Sequence, residues 1–123
     1  MAKGKYVDGF VIPIPKKNTD AYKKMARGAR AVWMRFGALD YKECIIDDPK
    51  PPYVAFTFPA MAKAKPGEVV WFSFIVYKSR RHRDAVNKKV MAHFEKKYGK
   101  NMTNMPFDMK RLSYGGFNVV VGV

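Results

Sequence analysis

The chain has 123 residues, of which 48% are hydrophobic and 15% aromatic, and its 24 Lys and Arg against 10 Asp and Glu give a formal charge of +14. This length is close to the commonest size of one domain, and the apolar content excludes a disordered chain. We therefore expect a single domain over residues 1–123. The charge does not bear on the fold, but it is compatible with nucleic acid, anionic lipid or a polyanionic metabolite as a partner.

Cysteine content and the N-terminal residues bear on the compartment. Cys44 is the one cysteine, so no internal disulfide can form, and a reducing compartment fits best. The first residues lack the apolar core and cleavage site of a signal peptide, and no apolar run approaches the ~20 residues of a membrane span. We expect a cytoplasmic protein without a membrane association.

The first half of the chain predicts a strand, a helix and a second strand. Residues 5–14 alternate, which places Tyr6, Asp8, Phe10, Ile12 and Ile14 on one face of a strand. Residues 18–36 carry apolar side chains at helical spacing, so we expect a helix that buries Trp33. Residues 38–46 follow as a second strand.

A long proline-rich connection spans about residues 47–67 and holds five prolines. Residues 53–58 are expected to form a short extended piece within it. Long connections in compact domains are often functional. The alternative, an arm packed across a neighbouring molecule, is slightly favoured.

The second half repeats the strand–helix–strand order. Residues 68–77 predict the strongest strand, and Ser79 is expected to cap a helix that ends near residue 98, followed by a strand over 110–121. The expected core positions of this helix are Val86, Val90, Met91, Phe94 and Tyr98. The order predicts an α+β, ferredoxin-like βαββαβ domain, an antiparallel sheet with two helices on one face.

Both faces of the predicted sheet are apolar. Trp71, Ile75 and Tyr77 alternate with Phe72, Phe74 and Val76 along the third strand. Two helices can cover one face only, and an exposed apolar sheet is an aggregation hazard. A second copy of the sheet is the economical cover, so we expect a homodimer.

Several segments carry a family resemblance: residues 6–10 (YVDGF), 36–39 (FGAL), 43–44 (EC), 47–48 (DD), 105–108 (MPFD) with 110–111 (KR), and 115–117 (GGF). In this order they resemble the signature segments of the bacterial YbaA-like proteins, a family with no assigned function. The resemblance implies a dimeric α/β-barrel, in which two ferredoxin-like sheets face each other, and it supplies no catalytic residues. The strong positive charge departs from the family, for which a near-neutral or acidic chain is expected.

The carboxylate of Asp8 is the first candidate for chemistry, because a charge on an apolar strand face must be paired, hydrogen-bonded or protonated. Lys110 and Arg111 are candidate partners if the first and last strands are adjacent. A structural ion pair is the favoured interpretation, and a catalytic acid with a perturbed pKa is the alternative. Glu43 and Asp108 are weaker candidates for the same pocket. Lys110, Arg111 and Trp71 are the candidate ligand-binding residues.

Basic residues on the two helices are the candidate polyanion-binding residues: Lys23, Arg27 and Arg30 on the first, and Arg81, Lys88 and Lys89 on the second. They would contact phosphates without reading a sequence. The third strand lacks the glycine and basic residue that lead the aromatic motif of RNA-recognition domains, so nucleic acid is the less favoured partner.

Histidine and cysteine provide no metal site. His82 and His93 lie eleven residues apart on one helix, about 16 Å along its axis, which is too far to share a metal. Cys44 has no local activating group and is expected to be a buried, inert thiol. We predict neither a metal nor another cofactor.

The leading functional hypothesis is a dimeric protein that binds or transforms a small apolar or aromatic molecule in a cavity between sheet and helices. A basic module for polyanions or nucleic acid is one alternative. A structural or stress-associated dimer without catalysis is another. The sequence leaves open whether the protein is an enzyme.

Overall fold

A computed structural model describes residues 4–99 and 105–122. One antiparallel sheet contains four strands in the order β2-β3-β1-β4. The strands are β1 (Tyr6–Pro15), β2 (Asp40–Ile45), β3 (Glu68–Tyr77) and β4 (Ser113–Asn118). The predicted α+β class is confirmed, and the strand order is consistent with the ferredoxin-like plan.

The helices are α1 (Thr19–Arg35), α2 (Phe58–Met61) and α3 (Arg80–Tyr98). Helix α1 packs against β2, α3 packs against β3, and the two long helices contact each other. Ser79 caps α3 as predicted, because its hydroxyl accepts a hydrogen bond from the backbone N–H of His82. No helix in the described part of the chain is long and apolar enough to cross a membrane.

The register assigns every strand residue to one of two faces. Asp8 lies opposite Ile75 on one side and Gly116 on the other, and Phe10 lies opposite Ser73 and Tyr114. The even-numbered residues of β1 therefore share a face with the odd-numbered residues of β3. Helices α1 and α3 pack on this face, which we call the helix face.

The core on the helix face consists of two clusters. One joins Tyr6, Tyr41, Ile75 and Tyr77 to Val86 and Val90 of α3, and the other joins Ile12, Ile14 and Trp71 to Tyr22 and Ala26 of α1. Trp33 and Phe94, expected to be buried, are half-buried at the margin of the first cluster.

Two residues predicted for the core of α3 are exposed. Met91 is 51% exposed and Tyr98 is 55% exposed. The helix contacts the sheet along the seam of Val86 and Val90. At 100° per residue, Met91 and Tyr98 are displaced from Val90 by about 80–100° around the axis. The predicted stripe was therefore too wide.

The connection after β2 and the last strand differ from their predictions. Residues 53–57 form no strand, and the short helix α2 follows, capped by the hydroxyl of Thr57. The side chains of Tyr53, Phe56 and Phe58 on this arm are exposed. The last strand begins at Ser113 instead of residue 110, because Met109–Arg111 form a 3-10 turn capped by Asp108.

The other sheet face, which we call the open face, carries neither of the two long helices, and one end of it is buried at Pro13 and Val70. Its central strands present Val7, Val11, Phe72, Phe74 and Val76, and Phe117 of β4 lies beside them. Phe72 is 43% exposed and Phe117 is 59% exposed. Cys44 also lies on this face and is exposed, so its predicted burial is wrong. It belongs to the edge strand β2, whose even-numbered side chains point away from the helices.

Candidate functional site

A cleft of about 280 Å³ lies between helix α1 and the β2–β3 half of the sheet, and we call it the α1–β2 cleft. Its apolar lining consists of Ala26, Tyr41, Ile45 and Trp71. Three basic residues line it from α1, namely Lys23, Arg27 and Arg30, and Glu43 of β2 adds a carboxylate. Three groups of residues that the sequence predicted for separate roles meet here. These are the basic residues of α1, Glu43 and Trp71.

The carboxylate of Glu43 is held by two tyrosines. Its Oε1 accepts a hydrogen bond from the hydroxyl of Tyr22 at 2.7 Å, and its Oε2 accepts one from the hydroxyl of Tyr41 at 2.8 Å. Burial, reinforced by the charge of Glu43, raises the pKa of both tyrosines well above the usual value. Both phenols therefore stay protonated and donate to Glu43, while each carboxylate oxygen retains acceptor capacity.

Trp71 lines the cleft from β3. The side chain is 5% exposed, and its ring centroid lies 4.8 Å from that of Tyr22. The indole Nε1 is buried and has no hydrogen-bond partner among the described residues. Leaving a buried donor unpaired costs about 1–3 kcal/mol, so such a group is a candidate for a bound acceptor.

Lys23, Arg27 and Arg30 occupy one side of α1 at intervals of four and three residues, and all three are exposed. Within the described residues, none of them lies at ion-pair distance from a carboxylate, Glu43 included. The pKa of Asp40 is lowered mainly by its hydrogen bond with Lys42, and the charge of Arg30 adds to this effect. The cleft thus has a cationic lip above a half-buried anionic group.

Asp8 lies elsewhere on the helix face, and its side chain is 1% exposed. Its Oδ1 accepts hydrogen bonds from Arg83 Nη1 at 2.6 Å and from the hydroxyl of Tyr114 at 3.0 Å. Arg83 also donates to the Tyr114 hydroxyl and lies 5.1 Å from the ring centroid of Tyr6. Burial raises the pKa of Asp8 and outweighs the opposing effects of Tyr114 and Arg83.

The cation beside Asp8 was not among its predicted partners. Lys110 is exposed, and the guanidinium of Arg111 instead contacts Glu68 at 2.6 and 2.8 Å. Arg83 could have been found from its spacing, because residues 83, 86 and 90 follow the i, i+3, i+7 rule on the buried side of α3. Its charge hides this signal, because charged residues are mostly exposed.

Asn87 extends the Asp8 cluster towards α1. Its Oδ1 accepts hydrogen bonds from Trp33 Nε1 at 3.0 Å and from the hydroxyl of Tyr77 at 3.1 Å. One side chain of α3 therefore connects α1 with β3. The sequence had assigned Trp33 to the apolar core, and its donor needed the partner that Asn87 supplies.

The three candidate carboxylates occupy different places. Asp8 is paired with Arg83, Glu43 lies in the α1–β2 cleft, and Asp108 caps the 3-10 turn through Lys110 N. Asp108 also lines a second cleft of about 290 Å³, beside the ion pair of Glu68 and Arg111. The basic residues Arg81, Lys88 and Lys89 are exposed on α3, away from both clefts.

These features define a small α+β protein with a polar group inside an apolar helix–sheet cleft. Residues 5–109 match the model of a family described as "Protein of unknown function (DUF1428)". The "Uncharacterized protein YbaA" of Escherichia coli strain K12 is 42% identical over 118 residues, which cover 95% of this chain and 97% of that protein. The YbaA proteins of E. coli O157:H7 and Shigella flexneri match with the same identity and coverage. The chain belongs to the DUF1428 family, which confirms the YbaA-like resemblance.

Proposed function

We propose that this protein binds a small, largely apolar or aromatic molecule in the α1–β2 cleft and that it does so as a homodimer. The observation that carries the binding function is the combination of a buried apolar lining with unused polar capacity. Trp71 and Tyr41 are buried, and Glu43 can accept further hydrogen bonds. The indole N–H of Trp71 has no partner in the part of the chain that the structure describes. Ligand sites typically join an apolar lining to a few such groups.

Asp8 is the weaker candidate for a functional acid. Arg83, Tyr114 and the surrounding core enclose it, and it lines neither cleft. An ion pair in which both side chains are largely buried fits a structural role that fixes α3 on the sheet. This favours ligand binding at Glu43 over acid catalysis at Asp8.

The open face supports association with a second copy of the chain. Its two central strands present apolar residues, while Asp40 and Lys42 form an ion pair on the edge strand β2. This arrangement resembles an interface core with a polar rim. Strand spacing and rise give the sheet an area of roughly 500 Å². This is below the ~800 Å² per partner of a standard interface, so we propose that exposed apolar side chains of the arm, such as Phe56, contribute to the contact.

A polyanion-binding module is the second candidate, favoured by the formal charge of +14. The exposed Arg81, Lys88 and Lys89 on α3 would serve it without the cleft. Binding of this kind would be independent of sequence and would collapse as salt rises. Small-molecule binding against the apolar lining would persist at high salt, which discriminates the two.

The free, exposed thiol of Cys44 fits a reducing compartment, and we place the protein in the cytoplasm.

Trp71 offers a direct test of binding in the cleft. The chain has two tryptophans, so a Trp33→Phe variant leaves Trp71 as the single fluorophore at the site. Titration with small aromatic alcohols and acids that absorb below the tryptophan band should give a saturable change in its emission. Failure of every compound to change the emission of the folded variant would overturn the proposed site.

A blocking variant assigns the binding to the cleft. Ile45 lines the cleft and is 46% exposed, so Ile45→Arg should fill it with a long side chain without disturbing the core. Met91 on α3 is 51% exposed and lies outside the cleft, so Met91→Arg is the matched control. Binding should be lost in the first variant and retained in the second. Equal binding in both would place the ligand elsewhere.

A further inference from the structure

The geometry of the α1–β2 cleft points to a ligand class: we infer that it selects amphoteric molecules, with an ammonium and an acid group on one apolar or aromatic body. This inference rests on the proposed function. It follows from the separation of an acceptor-only anion inside the cleft from the cations at its lip.

Glu43 defines the group that a ligand must present inside the cleft. The two tyrosine hydroxyls already donate to its oxygens, and neither phenol gives up its proton in the neutral range. The carboxylate has no cationic partner within ion-pair distance among the described residues. A ligand ammonium would supply both the hydrogen bonds and the missing charge, whereas a ligand carboxylate would be repelled.

The α1 side of the cleft defines the second charged group of the ligand. Lys23, Arg27 and Arg30 are exposed at the lip, and no carboxylate of residues 4–99 and 105–122 lies at ion-pair distance from them. An acid group held there would meet up to three cations, and a guanidinium can bind it with two parallel hydrogen bonds. The same side chains would be a poor site for a cation.

The lining limits the size of the ligand body. Trp71, Ile45 and Ala26 offer an aromatic face and aliphatic contacts. A volume of about 280 Å³ lies just below the range of pockets for drug-sized molecules, so a single ring or a short branched chain fits best. A nucleic acid is disfavoured here, because its phosphates would meet Glu43 and it carries no ammonium.

Three probes with the same phenylethyl body separate the two charges. L-Phenylalanine carries both groups, 3-phenylpropionate carries the acid alone, and 2-phenylethylamine carries the ammonium alone. Isothermal titration calorimetry on the full chain should show L-phenylalanine binding at least tenfold more tightly than either singly charged probe. The phenylethyl body is the same in all three probes, so the difference in affinity measures the charged groups.

Two variants assign each charge to its partner. Glu43→Gln should lower the affinity for L-phenylalanine and for 2-phenylethylamine about tenfold. The affinity for 3-phenylpropionate should stay unchanged or increase. The double variant Arg27→Gln with Arg30→Gln should lower the affinity for L-phenylalanine and for 3-phenylpropionate. The affinity for 2-phenylethylamine should stay unchanged or increase. The control, Lys88→Gln with Lys89→Gln on α3, removes the same charge outside the cleft and should change no affinity by more than twofold.

The outcomes distinguish this inference from the proposed function. Equal affinity for the three probes would overturn the inference that the ligand is amphoteric, and so would an equal loss of affinity for all three probes in each variant. Either result would leave the proposed small-molecule binding intact. Binding of a neutral phenylethyl alcohol without binding of L-phenylalanine would do the same. Absence of binding by all four compounds to a folded protein would overturn the proposed function and the inference together.

Discussion

Glu68 and Arg111 form the ion pair whose pH dependence can be stated most fully. The hydrogen bond with Arg111 is the main reason why the pKa of Glu68 falls from 4.5 to about 2. A lowered carboxyl pKa in the folded state stabilises the protein above pH 4.5, and this contribution is lost as the pH falls towards 2. The difference in unfolding free energy between wild type and Glu68→Gln should therefore be larger at pH 7 than at pH 2.5.

Urea unfolding followed by circular dichroism measures this difference at both pH values. Asp84→Asn is a control, because Asp84 pairs with Arg83 through a side chain that is 61% exposed. Exposed pairs contribute little, so this variant should change the unfolding free energy only slightly at either pH. A Glu68→Gln effect of equal size at both pH values would contradict the role of the ion pair.

Asp8 and Arg83 give a second prediction for single residues. Their side chains are 1% and 11% exposed, so removing one partner leaves an uncompensated charge in the core. Asp8→Leu and Arg83→Met should each cost about 3–5 kcal/mol of unfolding free energy. The double variant should be more stable than either single one, because no unpaired charge remains.

Chemical denaturation of the four proteins gives the coupling between the two residues. Additive losses in the double variant would show that the two side chains do not act as a pair. That result would also reopen Asp8 as a candidate for an independent functional acid.

Sequence reasoning identified single residues better than it identified their partners. The alternation along β1 was enough to place Asp8 on the buried face. Glu43 was expected in the pocket of Asp8, whereas it lies in the α1–β2 cleft together with Trp71. The two tyrosines on Glu43 were not predicted. Tyr22 comes from α1 and Tyr41 from β2, and their convergence depends on how far α1 is shifted along the sheet.

Helix α3 allows a test at the scale of an element. The hydroxyl of Ser79 accepts a hydrogen bond from the backbone N–H of His82 at 3.0 Å. Loss of such a cap typically costs ~1 kcal/mol, so Ser79→Ala should lower the unfolding free energy by about this amount. Ser113→Ala on β4 is the control, since Ser113 is exposed and should change the stability by less than 0.5 kcal/mol. Equal stability of wild type and Ser79→Ala would show that the cap contributes nothing.

Elements whose apolar residues recur at a regular spacing were predictable from the sequence, and elements that depend on a local capping side chain were not. Helix α1 and strand β3 follow their expected ranges to within a residue or two. Helix α2 has only four residues, too few for a period, and it depends on the Thr57 cap and Pro59 near its start. The 3-10 turn before β4 likewise depends on the Asp108 side chain, which shortened the last strand.

At the scale of the whole molecule, the open face predicts a homodimer at micromolar concentration. Phe72→Glu should place a charge in the centre of the interface and yield a folded monomer, because an unpaired charge cannot be buried there. Lys89→Glu introduces the same charge on the exposed side of α3 and should leave the dimer intact. Sedimentation velocity distinguishes the two species, and a wild-type protein at the mass of one chain would contradict the shared sheet faces.

The central claim is that the α1–β2 cleft binds a small molecule, and a crystal structure of the purified protein soaked with an aromatic amine or amino acid tests it most directly. We predict ligand density in the cleft, with the ring against Trp71 and a polar atom within hydrogen-bond distance of Glu43. A ligand bound only outside this cleft, or an empty cleft at saturating concentration, would contradict the claim.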